Sequence, residues 1–161
     1  MINKIQPIRI AIAGLGFGEN VHIPASLFNE DFELVGLWHP RAERLREACS
    51  IHKLHAFENW EDLINNKDID GIILATPPEP RYEVALSAIK AGKHLLLEKP
   101  TCLNSDEVME LQINASNRNL KIAVDYEYRA VPLFMQAKRL IDEKRLDEPY
   151  FVKLDWLMSS R

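Results

Sequence analysis

The sequence lacks most of what marks a secreted, membrane-spanning or nucleic-acid-binding chain. Among its 161 residues are two cysteines, Cys49 and Cys102. They have neither the density of a disulfide scaffold nor the C-x-x-C spacing of a metal or redox site, so both are expected to be buried, inert thiols. Long apolar runs are missing too. The stretches 8–13, interrupted by Arg9, and 71–75 fall far short of the roughly 20 residues that cross a bilayer. Positive charge is not in excess: the net charge is −4, which gives no general electrostatic reason to hold nucleic acid or an anionic membrane. The expected partner is therefore a small molecule. The opening MINKIQP has no basic segment leading into an apolar stretch and a small-residue cleavage site, so the cytoplasm is the expected location. Repeats and low-complexity linkers are absent.

What is present is an alternation of two patterns. Strand-like runs occur at 8–13, 33–39, 71–75, 94–98 and 121–126, and most are nearly all apolar, the mark of strands covered on both faces. Between them lie amphipathic stretches at 41–50, 60–65, 81–91 and 105–117, with Tyr82, Ala85, Leu86 and Ile89 on one stripe at helical spacing. Ala91-Gly92-Lys93 places a glycine where a left-handed cap ends the third of these, and Asn104 with Glu107 resembles a capping box opening the fourth. Strands alternating with helices predict right-handed βαβ crossovers and an α/β fold with a doubly wound parallel sheet.

The segment AIAGLGFGENVHIP (11–24) carries the chemistry expected of that fold. Gly14 and Gly16 fill two of the three glycine positions of a G-x-G-x-x-G fingerprint, directly after the first strand and before a segment, 19–29, able to form a helix. Gly14 permits the tight turn, Gly16 lets the backbone approach a pyrophosphate, and amides at the helix start point at the anion. Glu19 stands at the third position, and Gly18 is placed to allow the close helix-to-strand packing instead. The alternative is a tight turn with no ligand. A dinucleotide site of the NAD type also has a carboxylate at the end of the second strand, for the ribose hydroxyls. Here that end reads Leu37-Trp38-His39-Pro40-Arg41, with no acid. Arg41, with Arg44 one turn further, suits an adenosine 2′-phosphate, which favours NADP over NAD; the alternative is that both arginines lie on a solvated helix face.

Five pieces in order, GLGFGENVHIPA (14–25), WHPRAER (38–44), ATPPEPRYEVALSAIKAGKHLLLEKP (75–100), VDYEYRAVP (124–132) and LDEPYFVKLDW (146–156), resemble the N-terminal half of the Gfo/Idh/MocA oxidoreductases, the glucose-fructose oxidoreductase and inositol dehydrogenase family. The resemblance implies a Rossmann domain that binds NAD or NADP and moves hydride to or from a carbon bearing hydroxyl or carbonyl, on a sugar or cyclitol. It implies that Gly14, Gly16 and Phe17 form the pyrophosphate turn and that Thr76, Pro77 and Pro78 pass under the cofactor. His39 and Arg41 would then meet the adenosine ribose. In the Glu-Lys-Pro motif, Glu98 would lie near the nicotinamide and Lys99 would reach the nicotinamide ribose and the substrate as the catalytic residue. The residues themselves agree: Glu98 and Lys99 end a buried strand at the edge where open α/β sheets bind ligands, and an ammonium there can polarise a substrate oxygen. Two departures stand out: Arg81 replaces a histidine common in the family, and His39 replaces an acid. His22 reads as structural, and Trp38 and Trp60 as packing residues.

The resemblance divides the chain into a Rossmann domain, 1–130, and a connecting helix with the start of a substrate domain, 131–161. Val152, Leu154, Trp156 and Met158 alternate with Lys153 and Asp155 like the first strand of a C-terminal α+β domain that the chain otherwise lacks. Such a strand is expected to fold back, pair with another copy of the chain or stay disordered, and a homo-oligomer is expected. The alternative to an oxidoreductase is a non-catalytic, NAD(P)-sensing regulator of the same fold.

Overall fold

The computed structural model describes residues 6–146, 148, 150–155 and 157. They form two units, one ending at Asp125 and the other beginning at Tyr126.

In the first unit six parallel strands make one sheet: β1 (Ile8–Ala13), β2 (Phe32–Trp38), β3 (His55–Phe57), β4 (Gly71–Leu74), β5 (His94–Leu97) and β6 (Ile122–Val124). Their order is β3-β2-β1-β4-β5-β6. The period-2 alternation of a strand explains how one sheet supports two cores. On one face Ile10 and Ile12 of β1 join Leu37 of β2, Ile73 of β4, Ile23 of α1 (Ile23–Phe28) and Leu45, Ala48 and Cys49 of α2 (Ala42–His52). On the other, the small side chains of Ala11 and Ala13 leave room for Leu63 and Ile64 of α3 (Trp60–Asn65), Ala85, Ala88 and Ile89 of α4 (Pro78–Lys90), and Leu111 and Ala115 of α5 (Ser105–Asn117).

Coverage is less complete than the apolar strands predict. Within this unit an apolar groove of about 440 Å³ runs along the face of Ile10, Ile73 and Leu96. The reason is topological: α1 and α2 pack over the β1–β2 half of that face, while the helices of the second half all lie on the opposite face.

Helix ends follow the sequence closely. Gly92 has φ +83°, and the amides of Gly92 and Lys93 donate to the carbonyls of Ile89 and Ala88, a Schellman closure of α4. The Asn104 side chain accepts from the Glu107 amide at 2.9 Å, while the Glu107 carboxylate accepts from the Leu103 amide at 3.1 Å. The segment after the glycine turn departs from a plain α-helix: Gly18–His22 winds as a π-helical turn before α1.

The second unit contains a 3-10 turn, Glu127–Ala130, and α6, Pro132–Asp142. Residues 151–155 have no strand pairing among the described residues, in line with Val152 and Leu154 belonging to a sheet whose other strands are not in this chain. A strand exists only against a hydrogen-bonded neighbour, and none pairs with them among the described residues. Trp156 and Met158 lie outside the described residues. No helix among the described residues is long and apolar enough to cross a membrane.

Candidate functional site

The strand order reverses between β1 and β4, and open α/β sheets bind ligands beyond the carboxyl ends of strands at such a point. Here a cleft of about 850 Å³ opens there, lined by Gly14, Gly16, Phe17, Trp38, His39, Arg41, Thr76, Pro77, Arg81, Glu98 and Lys99 among others. Four strand ends, β1, β2, β4 and β5, supply it.

The glycine turn is forced by its surroundings. Gly14 has φ +100°, and a Cβ on it would lie 2.5 Å from the carbonyl carbon and oxygen of Ala75 and 2.8 Å from the amide of Thr76. No L side chain fits there. Gly16, by contrast, faces open space, which leaves its backbone approachable from the cleft. At Gly18 a Cβ would come within 3.1 Å of Ile12 and 3.3 Å of Ala75, so this residue provides the close packing expected of it.

At the β2 end, His39 lies in the cleft wall and accepts a hydrogen bond at Nδ1 from the Arg41 amide at 3.1 Å. Burial lowers the pKa of His39, and the charges of Arg41 and Arg44 push the same way against the Arg41 carbonyl and Glu19. Arg41 lines the cleft. Arg44 does not: its guanidinium donates to Glu19 Oε2 at 3.0 Å. Pro78 is likewise outside the lining and serves as the first residue of α4, a position that suits proline because no amide is needed.

At the β5 end, Lys99 faces the same cleft as Gly14 and Gly16, and its ammonium lies 5.9 Å from the centre of the Phe17 ring, within cation–π range. Phe17 also meets His22 edge-on, ring centres 5.5 Å apart. His22 is buried and donates from Nε2 to Glu98 Oε1 at 2.8 Å. The other Glu98 oxygen accepts from the Lys99 amide at 3.2 Å. Asp125 stands 3.9 Å from the same His22 nitrogen. One nitrogen and two carboxylate oxygens therefore fall within 4.8 Å of one another. The 2.8 Å spacing is that of an N–H···O bond, shorter than the roughly 3.3 Å that separates ligands held about 2.0–2.1 Å from a tetrahedral ion.

Arg81 was marked in the sequence only as a departure from the family's histidine, and its part in building the site was missed. On an amphipathic helix an arginine reads as solvent-facing, yet this one is 2% exposed. Its guanidinium donates to the carbonyls of Thr76, Glu98 and Pro100, so it staples the loops after β4 and β5 together. Burial lowers its pKa, opposed by the nearby charge of Glu98. Arg81 Nε and Thr76 Oγ1 are buried without a hydrogen-bond partner among the described residues. Trp38, read as packing, both lines the cleft and packs edge-on against Trp60 at 5.3 Å.

Sheet order, glycine turn and cleft together are those of a dinucleotide-binding domain. The family model described as "Oxidoreductase family, NAD-binding Rossmann fold" matches residues 8–126, and the chain belongs to that Gfo/Idh/MocA family. It is 34% identical to an uncharacterized oxidoreductase of Synechocystis, an alignment covering 99% of this chain and 43% of that protein. With the scyllo-inositol 2-dehydrogenase (NADP(+)) of Bacillus subtilis it shares 27% identity, over 90% of this chain and 40% of the relative. An NAD-binding protein from Listeria innocua superposes with TM-score 0.79 at 27% identity, covering 85% of this chain and 40% of that one. The chain thus spans about two fifths of the length of these relatives.

Proposed function

We propose that this chain is the NADP-binding part of an oxidoreductase that moves hydride to or from a hydroxyl- or carbonyl-bearing carbon of a sugar or cyclitol. The observation that carries the reading is that Lys99 shares one cleft with Gly14 and Gly16, so a diphosphate against the bare turn and a reacting oxygen against the ammonium fit a single extended ligand. The absence of an acid at the β2 end, where His39 stands, and Arg41 two residues on favour a phosphorylated adenosine ribose. The printed names of two relatives, scyllo-inositol 2-dehydrogenase (NADP(+)) and galactose 1-dehydrogenase, are in keeping with a polyhydroxylated substrate.

The cleft fits the cofactor on its own geometry: Gly14 could not carry a Cβ, and Gly16 opens its backbone to the ligand side. Gly14, Gly16 and Phe17 would hold the diphosphate, His39 and Arg41 the adenosine end, and Thr76, Pro77 and Glu98 the nicotinamide side, with Pro78 starting the helix behind that loop. The nicotinamide supplies hydride chemistry when bound. The protein's part is to hold the substrate oxygen at Lys99 Nζ, stabilise charge developing there, and give or take the hydroxyl proton. Arg81 fixes the two loops that frame this end, and the His22–Glu98 hydrogen bond keeps the Glu98 carboxylate turned toward the Lys99 amide. Assembly with further copies and a cytoplasmic setting remain part of this reading.

Calorimetric titration with NADP+ and NAD+ tests the binding half. Turnover of the parent protein on a panel of sugars and cyclitols, followed at the nicotinamide absorbance, tests the rest. Lys99→Met is expected to lower kcat by about 10²–10⁴-fold while dinucleotide affinity changes by less than a few-fold. Tight binding with no turnover on any member of the panel would favour a sensor, and no binding at millimolar dinucleotide would end the proposal.

A further inference from the structure

Glu19 occupies the place where the phosphate fingerprint has its third glycine. Its carboxylate does not turn into the diphosphate turn but reaches across to α2. There Oε2 accepts from Arg44 at 3.0 Å, and Oε1 lies 3.9 Å from His52 Nε2. Arg44 is the third residue of α2, one turn beyond Arg41 at the helix N-cap. A second, looser neighbour, Glu47, stands 3.8 Å from its other terminal nitrogen. Arg44 therefore sits within a turn of the cleft's β2 end while held by an acid outside it. His39, in the cleft wall, feels the charges of Arg41, Arg44 and Glu19 alike, so all three act on the same end of the cleft.

We infer that Glu19 sets the preference between NADP and NAD by holding Arg44 in an ion pair that a 2′-phosphate must break. The inference rests on the assignment of the His39–Arg41 end to the adenosine ribose. A phosphate monoester carries a charge of about −1.5 to −2 and offers three acceptor oxygens, and guanidinium pairs with it in a bidentate fork. Arg44, 44% exposed in its side chain, can exchange a single carboxylate oxygen for that fork. Glu19 then keeps His52 as its remaining neighbour on α2. NAD leaves Arg44 where it is, so only NADP bears the cost of parting the pair. An exposed pair of this kind is worth a factor of about two to five in an equilibrium constant.

Dissociation constants for NADP+ and NAD+, measured by calorimetry at low salt on the unaltered chain, Glu19→Gln, Arg44→Ala and the double variant, test this. Glu19→Gln is expected to tighten NADP+ about two- to fivefold and leave NAD+ essentially unchanged. Arg44→Ala should weaken NADP+ selectively, and adding Glu19→Gln to it should change nothing further. A loss of packing would move both dinucleotides together, so the ratio separates specificity from damage. Equal tightening by Glu19→Gln with and without Arg44 would mean that the carboxylate acts by its field alone, and overturns the latch. Weaker NAD+ binding by Glu19→Gln would make Glu19 a ribose acceptor instead and overturns it too, as does an unchanged ratio. If the unaltered chain binds neither dinucleotide, the functional reading falls together with this one, whereas binding with an unchanged ratio removes this one alone.

Discussion

Asp70 joins the start of β4 to β1. Its carboxylate accepts from the Arg9 backbone amide at 2.9 Å and from the Arg9 guanidinium at 3.1 and 2.9 Å. Those side-chain bonds hold the Asp70 pKa below its ordinary 3.8. A carboxylate with a depressed folded pKa contributes stability above its unfolded value and loses it as pH falls through the folded one. Asp70→Asn is therefore expected to lower the urea midpoint at neutral pH, with the gap to the unaltered chain closing as pH falls below the ordinary 3.8 and through the lower folded value. Individual residues were unevenly legible in the sequence. The places of Gly14 and Lys99 could be read because they follow from the chain pattern: first turn, and end of a buried strand. The contacts of His22 could not, since its partner Glu98 is 76 residues away and nothing in a local pattern links them. Arg81 was hidden for a different reason. Its partners are backbone carbonyls, which every residue possesses and no sequence marks.

At the scale of elements the sequence signals were strongest where backbone geometry is decided by one residue. Asn104 and Gly92 were recognisable as caps, and both act as such. Because nothing lies within 4 Å of a Cβ added at Gly92, Gly92→Ala isolates the cost of the left-handed conformation, about 1–2 kcal/mol. Asn104→Ala should cost about 1 kcal/mol. Chemical denaturation is expected to register both losses while the dinucleotide dissociation constant stays put, since neither residue lines the cleft. The β1, α3 and α5 limits were readable from periodicity, whereas the last strand is shorter than its apolar run suggests, Ile122–Val124 rather than 121–126. At a sheet edge, pairing on one side only ends a strand where its single neighbour ends. The π-helical turn at Gly18–His22 has no sequence signature beyond helix-compatible residues, yet it is what delivers His22 to Glu98.

For the whole molecule, every residue that lines the cleft comes before Pro100, and all belong to the unit that ends at Asp125. A chain ending at Asp125 is accordingly expected to fold and to bind NADP+ within about twofold of the 161-residue chain. Calorimetry together with circular dichroism checks this, and loss of binding from a folded shortened chain would give the second unit a share in the site. The doubly wound class was legible because the alternation of apolar runs and amphipathic stretches constrains topology strongly. The incomplete cover on one sheet face was not, because an apolar strand reads the same whether its outer face meets a helix or a groove.

The order of strands also fixes an order of events on the ribosome. The central β1 is made first, and β2, whose end supplies His39 and Arg41 to the cleft, follows it directly in sequence. Lys99, the last of the cleft's lining residues to be made, follows a glutamate whose histidine partner was synthesised 76 residues earlier. The cleft is therefore complete only once the β5 end has been made, although its glycine turn is among the first segments synthesised.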